Sequence, residues 1–433
     1  MKIYIETLGC PKNFNDSQVV GGILEEVGHQ ITDAVRDADA IMVNTCGFIN
    51  DAKKESIQCI LDMAAYDKML IVSGCLSQRY GDELFEEMPE VDIFLGVNDY
   101  EQLPEILTGH EKGRREKHLN RYEKAMDTEA RRLDANPYSS TIKISEGCDN
   151  HCTYCVIPSI RGPYRSRPKE EILAEAEALA AAGTKEIILI AQDSTAYGID
   201  LYGGYVLHEL VSELCQVEGI SWIRLMYCYE ERLTDELMEV MAREEKVCNY
   251  LDIPLQHASD KILKAMNRQS CREEIQESIG KLRRAMPDIH IRTTLITGFP
   301  GEGEEEFEEL LDFVEEVRFE RLGVFTYSPE EGTPAAEMKE QMEEKIKDER
   351  KDAIMRRQME ISLEKNREKI GQIMEVLVEG REEDGSYCGR SRYDAPEIDN
   401  QVLFISRRDL QPGDLILVKI EDAFDYDLTG VEI

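Results

Sequence analysis

The feature that most constrains the fold is an alternation of short β-rich runs with helical patterns, and it occurs twice. In the first hundred residues the runs are "KIYIETL", "DAIMVNT", "KMLIVSG" and "VDIFLG". Beyond residue 137 they are "STIKIS", "KEIILIA", "WIRLMY", "NYLDIPLQ", "IRTTLITGF" and "RLGVFTYS". Parallel strands need a crossover of a dozen or more residues between them, and a helix is the usual one. The first series therefore predicts a parallel α/β sheet, with the helix after its first strand starting at the Asn/Asp of "NDSQVVGGILEEVG". The second predicts a (βα)6 partial barrel.

Three other stretches complete an α/β chain of several parts. Residues 110–136 are dense in charge and poor in apolar periodicity, which reads as a linker with some helix. A long polar helix is expected from Ala336 to Lys369. From Gly371 the pattern changes to short strands and turns, "QIMEVLVEG", "QVLFIS", "DLILVKI" and "LTGVEI", as in a small antiparallel β-barrel. The expected division is 1–109 for the N-terminal sheet domain, 110–136 for the linker, 137–369 for a partial TIM-like barrel and 371–433 for the small barrel. No apolar run approaches the length needed to cross a bilayer. "MKIYIETLGC" reads as a strand without the features of a signal peptide. The expected location is the cytoplasm, where twelve cysteines stay mostly reduced.

Three of those cysteines crowd into eight residues. "EGCDNHCTYCVIP" holds Cys148, Cys152 and Cys155 in a C-x3-C-x2-C spacing, just after the first strand of the second series. Structural zinc takes four protein ligands, and His151, between the thiols, would strain to join them. A cubane iron–sulfur cluster usually takes four thiolates as well. Three leave one iron open to bind a substrate or cofactor. The loop falls at the carboxyl-end face of the barrel, where βα loops build active sites.

This spacing in this position resembles the radical S-adenosylmethionine superfamily. The resemblance implies that the open iron of a 4Fe-4S cluster chelates S-adenosyl-L-methionine, whose reductive cleavage yields a 5′-deoxyadenosyl radical. It also implies that Tyr154, between the last two thiols, lies near the adenine. Gln192 and Asp193 of "AQDSTAYG", with "LQH" and "GFPGE", offer polar groups at the same face; they either hold S-adenosylmethionine or cap strands. Arg161, Arg165 and Arg167 of "IRGPYRSRP" could grip carboxylates, but pairing with the abundant surface acids is the plainer reading. Glu146 and Asp149 read as loop-shaping or solvated.

A second trio is dispersed. Cys10, Cys46 and Cys75 share no local motif, yet each follows a β-rich run of the first series at once. In an open parallel sheet the carboxyl ends of the strands form one rim, so the three thiols are expected to converge and hold a second three-thiolate cluster. Gly9, Gly47 and Gly74 beside them are expected to let the backbone approach that cluster. Cys59, Cys215, Cys228, Cys248, Cys271 and Cys388 lack such a pattern and read as ordinary buried residues.

Two three-cysteine sets in this order, followed by a small barrel, resemble the methylthiotransferases over essentially the whole chain. The resemblance implies a C-terminal TRAM domain and a transferase that inserts sulfur and a methyl group at an unactivated C–H bond. One cluster would generate the radical and the auxiliary cluster would present the sulfur. "LGCPKN", "LDIPLQHASDKIL", "YSPEEGTPAA" and "GRSRYDAPEID" are similar to the branch acting on the β-carbon of an aspartate in ribosomal protein S12. That protein substrate, an electron donor and a sulfur source are the implied partners; no membrane is. The sister branch, which modifies tRNA adenosines beside the anticodon, is the alternative. A metal-stabilised protein that binds ribosomes without catalysis is another. Charge favours the protein substrate. The chain carries 88 acidic against 51 basic residues, and residues 371–433 have fifteen Asp/Glu and six Lys/Arg, a net of −9. RNA-binding surfaces need positive charge, whereas an acidic barrel complements a basic ribosomal protein.

Overall fold

Three strands, β1 (Lys2–Thr7), β3 (Ala40–Thr45) and β4 (Met69–Gly74), form the middle of an all-parallel six-stranded sheet. The short β2 (Gln30–Ile31) lies at one edge, and β5 (Ile93–Leu95) and β6 (Glu116–His118) at the other. The computed structural model describes residues 1–110, 113–120, 131–133 and 137–433. The strand order is β2-β1-β3-β4-β5-β6, so the winding reverses between β1 and β3. Open α/β sheets bind ligands at the carboxyl ends of the strands where the order reverses.

Two expectations change here. The stretch read as a linker is in part sheet, because Glu116–His118 pairs in parallel with β5. Arg115 pins it by donating to the carbonyls of Phe85, Met88 and Val91. Residues 111–112, 121–130 and 134–136 of the linker lie outside the described residues, and the rest of it shows no helix. The first helix spans Pro11–Glu26 and starts four residues before Asn15. Cys10 is its N-cap and Pro11 takes the first helical position, where a missing N–H costs nothing.

The second sheet holds β7 (Ser139–Lys143), then, past a two-stranded ribbon of β8 (Ser145–Glu146) and β9 (Arg165–Ser166), β10 (Glu186–Ile190), β11 (Trp222–Leu225), β12 (Val247–Gln256), β13 (His290–Thr297) and β14 (Arg321–Thr326). Its six strands pair in chain order and all in parallel, the (βα)6 partial barrel expected. Strand side chains alternate between faces. Ile187, Leu189, Ile223, Leu225 and Leu251 belong to the large core under the helices. Their neighbours Ile188, Ile190, Trp222, Cys248 and Tyr250 face the other way and pack on Leu377 and Ala395. The long polar helix runs from Glu344 to Arg367, later than expected at its start, because Pro334–Glu337 forms a separate 3-10 turn capped by Thr333.

Leu377 and Ala395 belong to the third part, a closed five-stranded barrel of β15 (Ile373–Arg381), β16 (Tyr387–Ser391), β17 (Val402–Ile405), β18 (Leu415–Ala423) and β19 (Leu428–Glu432). All its pairs are antiparallel except β17 with β19. It covers the concave face of the second sheet through buried ions. Glu186 accepts from Arg224 at 2.8 Å and from Arg390 at 2.6 Å, Arg321 meets Asp394 at 2.5 Å, and Tyr250 donates to Asp399 at 2.6 Å. Among the described residues no helix is long and apolar enough to cross a membrane.

Candidate active site

The rim of the first sheet gathers its three cysteines. Cys10 follows β1, Cys46 follows β3, and Cys75 opens the helix Cys75–Glu87 directly after β4. Asn13 ties the three loops together. Its amide donates to the carbonyls of Leu8 at 2.9 Å and Thr45 at 3.1 Å, and its Oδ1 stands 3.8 Å from Cys75 Sγ. The neighbouring glycines serve this packing. A Cβ on Gly9, at φ +94°, would stand 2.7 Å from Cys46 Cβ, and one on Gly74, at φ +92°, would stand 2.4 Å from Asn44 Oδ1. Gly9 and Gly74 thus also let the cysteine loops press on one another.

Cys148, Cys152 and Cys155 sit in the loop bracketed by the β8/β9 ribbon. Cys148 N–H donates to the Gly162 carbonyl at 3.1 Å, and the Ile157 N–H points at Cys155 Sγ at 3.4 Å. Thr153 anchors the loop to Ala265 and Met266. His151 is exposed. Burial pushes the Cys46 and Cys148 thiols up to about 11 and Cys155 to about 12, and thiols of the same trio add to each shift. Burial also raises Cys75.

Both trios lie against one partition. Cys75 packs on Val156 and Ile160, which follow Cys155 in the chain. Arg161, 2% exposed, reaches back into the first domain. It donates to Asp16 at 2.7 Å and Asn13 at 2.9 Å, touches Glu146 at 3.2 Å, and stands 3.4 Å from Cys75 Sγ. Lys143, at the end of β7, bonds Asp16 at 2.5 Å and Glu146 at 2.7 Å. Burial opposes the charge of Glu146, but Lys143 and Arg161 outweigh it and hold the carboxyl well below its ordinary range. Arg161 and Glu146 are therefore parts of a buried inter-domain network, neither surface-paired nor solvated. Arg167 is buried too, on Glu175 at 2.7 Å. Asp149 does shape its loop, accepting from Tyr164 N–H at 3.1 Å.

Tyr154, Gln192 and Asp193 all lie beside the Cys148 loop. Tyr154 meets Phe299 edge-on, with ring centroids 6.5 Å apart. Gln192 donates to Glu146 at 2.8 Å, while its buried Oε1 has no partner. Asp193 is committed to Asn150 at 2.8 Å, to Arg232 and to Thr195 at 2.7 Å. Sequence reasoning missed Lys12, Asn13, Asp16, Lys143 and Arg268. Only Lys143 gave a signal, as a charge at the carboxyl end of a strand, beside Ile142. Arg268 bonds Glu230 at 2.9 Å over the Tyr229 ring, with Nε and Nη1 buried and unpartnered. With Asp149, Asn150, Cys152 and Arg232 it lines a cavity of about 300 Å³ beside the cysteine loop.

Among the described residues no three His, Cys, Asp or Glu side chains could hold a single metal ion. A four-iron cube holds its thiolates farther apart than one ion does. Free thiols raised this far stay protonated at neutral pH, so a bound metal must displace protons and supply the positive charge. Each trio could hold a three-thiolate cluster on those terms, and the orphaned polar atoms of Gln192 and Arg268 could meet a polar cofactor beside the second.

Comparison with known proteins agrees with this architecture. Residues 142–314 match the radical SAM superfamily, residues 2–96 match an uncharacterized protein family designated UPF0004, and residues 370–433 match the TRAM domain. Among solved structures, the radical S-adenosylmethionine methyltransferase TsrM from Kitasatospora setae superposes with a TM-score of 0.57 at 14% identity, covering 86% of this chain and 78% of that one. The cobalamin-dependent S-adenosylmethionine radical enzyme OxsB gives 0.52 at 14% identity, covering 82% and 56%. Both likenesses concern the fold alone. Curated relatives named ribosomal protein uS12 methylthiotransferase RimO are far nearer. The protein from Desulforamulus reducens is 51% identical over 98% of both chains, and that from Acetivibrio thermocellus 50% identical over 99% of this chain and 98% of its own. The relative from Lachnoclostridium phytofermentans is 47% identical over 99% of both. At such identity from end to end, the chain belongs to the RimO family of ribosomal protein uS12 methylthiotransferases.

Proposed function

We propose that this chain methylthiolates the β-carbon of an aspartate in ribosomal protein S12, in the cytoplasm, by radical S-adenosylmethionine chemistry. Full-length identity near one half with relatives of that name carries the reading. Cys148, Cys152 and Cys155 are assigned to the radical 4Fe-4S cluster, and Cys10, Cys46 and Cys75 to the auxiliary one. Tyr154, Gln192 and Asp193 are assigned to the S-adenosylmethionine side of the radical site. When bound, these groups supply the reductive cleavage, the hydrogen-abstracting radical, the sulfur and the methyl group.

The chain's own residues hold the geometry. Asn13 and Arg161 bind loops of both trios into one frame. Asp193, after the second strand of the barrel, and Arg232, after the third, fix the Cys148 loop through Asn150. Lys143, Arg161, Asp16 and Glu146 are paired with one another, which lets this part of the partition exclude the water that would quench a carbon radical. Residues 1–109 carry the sulfur side, 137–369 the radical side, and 371–433 the substrate-docking barrel. Electrons and sulfur come from outside the chain. The net charge of −9 on the small barrel suits a basic ribosomal protein better than RNA.

The test is anaerobic reconstitution followed by assay of S12 and tRNA with S-adenosylmethionine, sulfide and a strong reductant. Iron and sulfide for two four-iron clusters per chain, and one methylthio group gained on the S12 aspartate, are expected. A mass gain on tRNA alone, or zinc in place of iron, overturns the reading.

A further inference from the structure

We propose that Lys12 is the residue that selects an aspartate: its ammonium, held between the two cysteine trios, binds the substrate carboxylate and so presents the adjacent β-carbon. The inference rests on the reading that the substrate is an aspartate side chain.

Lys12 lies in the first turn of the helix Pro11–Glu26, two residues beyond Cys10. Its side chain crosses from the first domain to the carboxyl-end rim of the central barrel. There Nζ stands 3.4 Å from the centre of the Tyr227 ring, and the residue is 8% exposed. Tyr227 is a prepared platform. Its backbone is left-handed, at φ 59°, which is uncommon without glycine. It is held there from both sides, by its N–H on Asp252 at 3.2 Å and by its carbonyl under Ser194 N–H at 3.0 Å. Gln256, at the end of β12, is left-handed too, at φ 72°, and such strained positions cluster at active sites and ligand clamps.

The ammonium lacks an anion. Among the described residues the Lys12 ammonium makes no hydrogen bond and has no carboxylate within 4.0 Å. The acids around it are committed elsewhere. Glu146 is taken by Lys143 at 2.7 Å and Arg161 at 3.2 Å, Asp16 by the same two cations, and Asp252 by Arg292 at 2.9 Å. A largely desolvated cation without an anionic partner is costly, and a cation–π contact returns only part of that cost. In a chain with 88 acids against 51 bases, a partner would be easy to supply. A cation left open between the two trios is suited to a carboxylate arriving with the substrate. In aspartate the β-carbon is bonded directly to the carboxylate carbon, so gripping the charge fixes the atom to be functionalised. A neutral nucleobase has no such handle.

The competing role is a counter-ion for a cluster at Cys10, and the two make different demands. The experiment measures binding of purified S12, and of S12 with asparagine in place of the target aspartate, to the reconstituted wild-type enzyme, Lys12→Met and Lys12→Arg. Iron per chain is measured on each. Wild type is expected to bind the aspartate form at least tenfold more tightly. Lys12→Met should lose that preference by weakening the aspartate form alone, with iron content unchanged, and Lys12→Arg should restore most of it. Equal weakening of both forms, or loss of iron in Lys12→Met, overturns the role of Lys12 while leaving the proposed function intact. A wild-type enzyme that modifies tRNA and binds neither form of S12 overturns the proposed function, and this inference with it.

Discussion

Removing Arg161 tests how the two cysteine trios are held together. Arg161→Met deletes the hydrogen bonds to Asp16, Asn13 and Glu146 and the contact with Cys75. Glu146 keeps Lys143 at 2.7 Å and the neutral Gln192 at 2.8 Å, and must share the single charge of Lys143 with Asp16. Asp16, 0% exposed, keeps Lys143 alone at 2.5 Å. Breaking a buried pair by removing one partner costs about 3–5 kcal/mol. Opening of the partition should then become easier by roughly a hundredfold at the low end. A chain of three parts does not unfold in one step, so the assay is native-state hydrogen exchange of amides in Pro11–Glu26. Arg161→Lys keeps a charge on Asp16 but loses the planar fork, and should fall between the two. Asp16→Asn combined with Arg161→Met should recover part of the loss, because it removes the under-neutralised carboxylate. Exchange in Arg161→Met within about threefold of wild type refutes the argument, since that corresponds to under about 1 kcal/mol.

Three further outcomes are expected. Cys148→Ala should abolish 5′-deoxyadenosine formation, whereas Cys10→Ala should retain it and lose sulfur insertion; loss of the same single cluster in both variants, read by iron content, refutes two separate sites. Burial raises the Glu186 carboxyl, but Arg390 and Arg224 outweigh it and hold it down at about 2. Its contribution is therefore present above its ordinary value of 4.5 and lost as pH falls towards about 2. Limited proteolysis should show the small barrel detaching over that window, and Glu186→Gln should detach it at neutral pH by orphaning Arg224. Lys369 is brought down to about 7 by burial and by Arg321. The unfolded chain then binds the extra proton between about 7 and 10.5, and stability rises with pH across that range. Lys369→Met should raise the urea midpoint most near or below pH 7.

Most of the strands were legible because parallel sheets covered on both faces need nearly continuous apolar runs. Ala40–Thr45 is buried at every position, and "DAIMVNT" reads that way at sight. Glu116–His118 was not legible. A three-residue edge strand reading "EKH" has no apolar face to betray it, and only its pairing with β5 makes it a strand. The six cysteines of the two trios were legible by different routes, three by spacing and three by position at strand ends. The other six divide. Cys215, Cys228 and Cys248 are buried as expected, while Cys59, Cys271 and Cys388 are only partly so. The partition was the least legible part. Arg161 meets Asp16 across 145 residues of chain, and an arginine in a chain with 88 acids gives no sign of which one it will find.

The distribution of charge joins these observations. A net of −37 over the whole chain favours a basic protein partner over a polyanion. The interior near the trios has the opposite emphasis, with Lys12, Lys143 and Arg161 buried and Arg292 partly buried. Three of these four are matched by acids. They serve as fixed struts, and their energy is spent on holding two domains in register. Lys12 has no matched acid, and it is also the one that starts beside Cys10 and ends on the barrel rim. If its role were structural, an acid placed nearby would stabilise the fold. Tyr227→Glu would supply one, and should raise stability while abolishing the preference for aspartate over asparagine. A variant that gains stability and keeps the preference would show that the substrate carboxylate binds elsewhere.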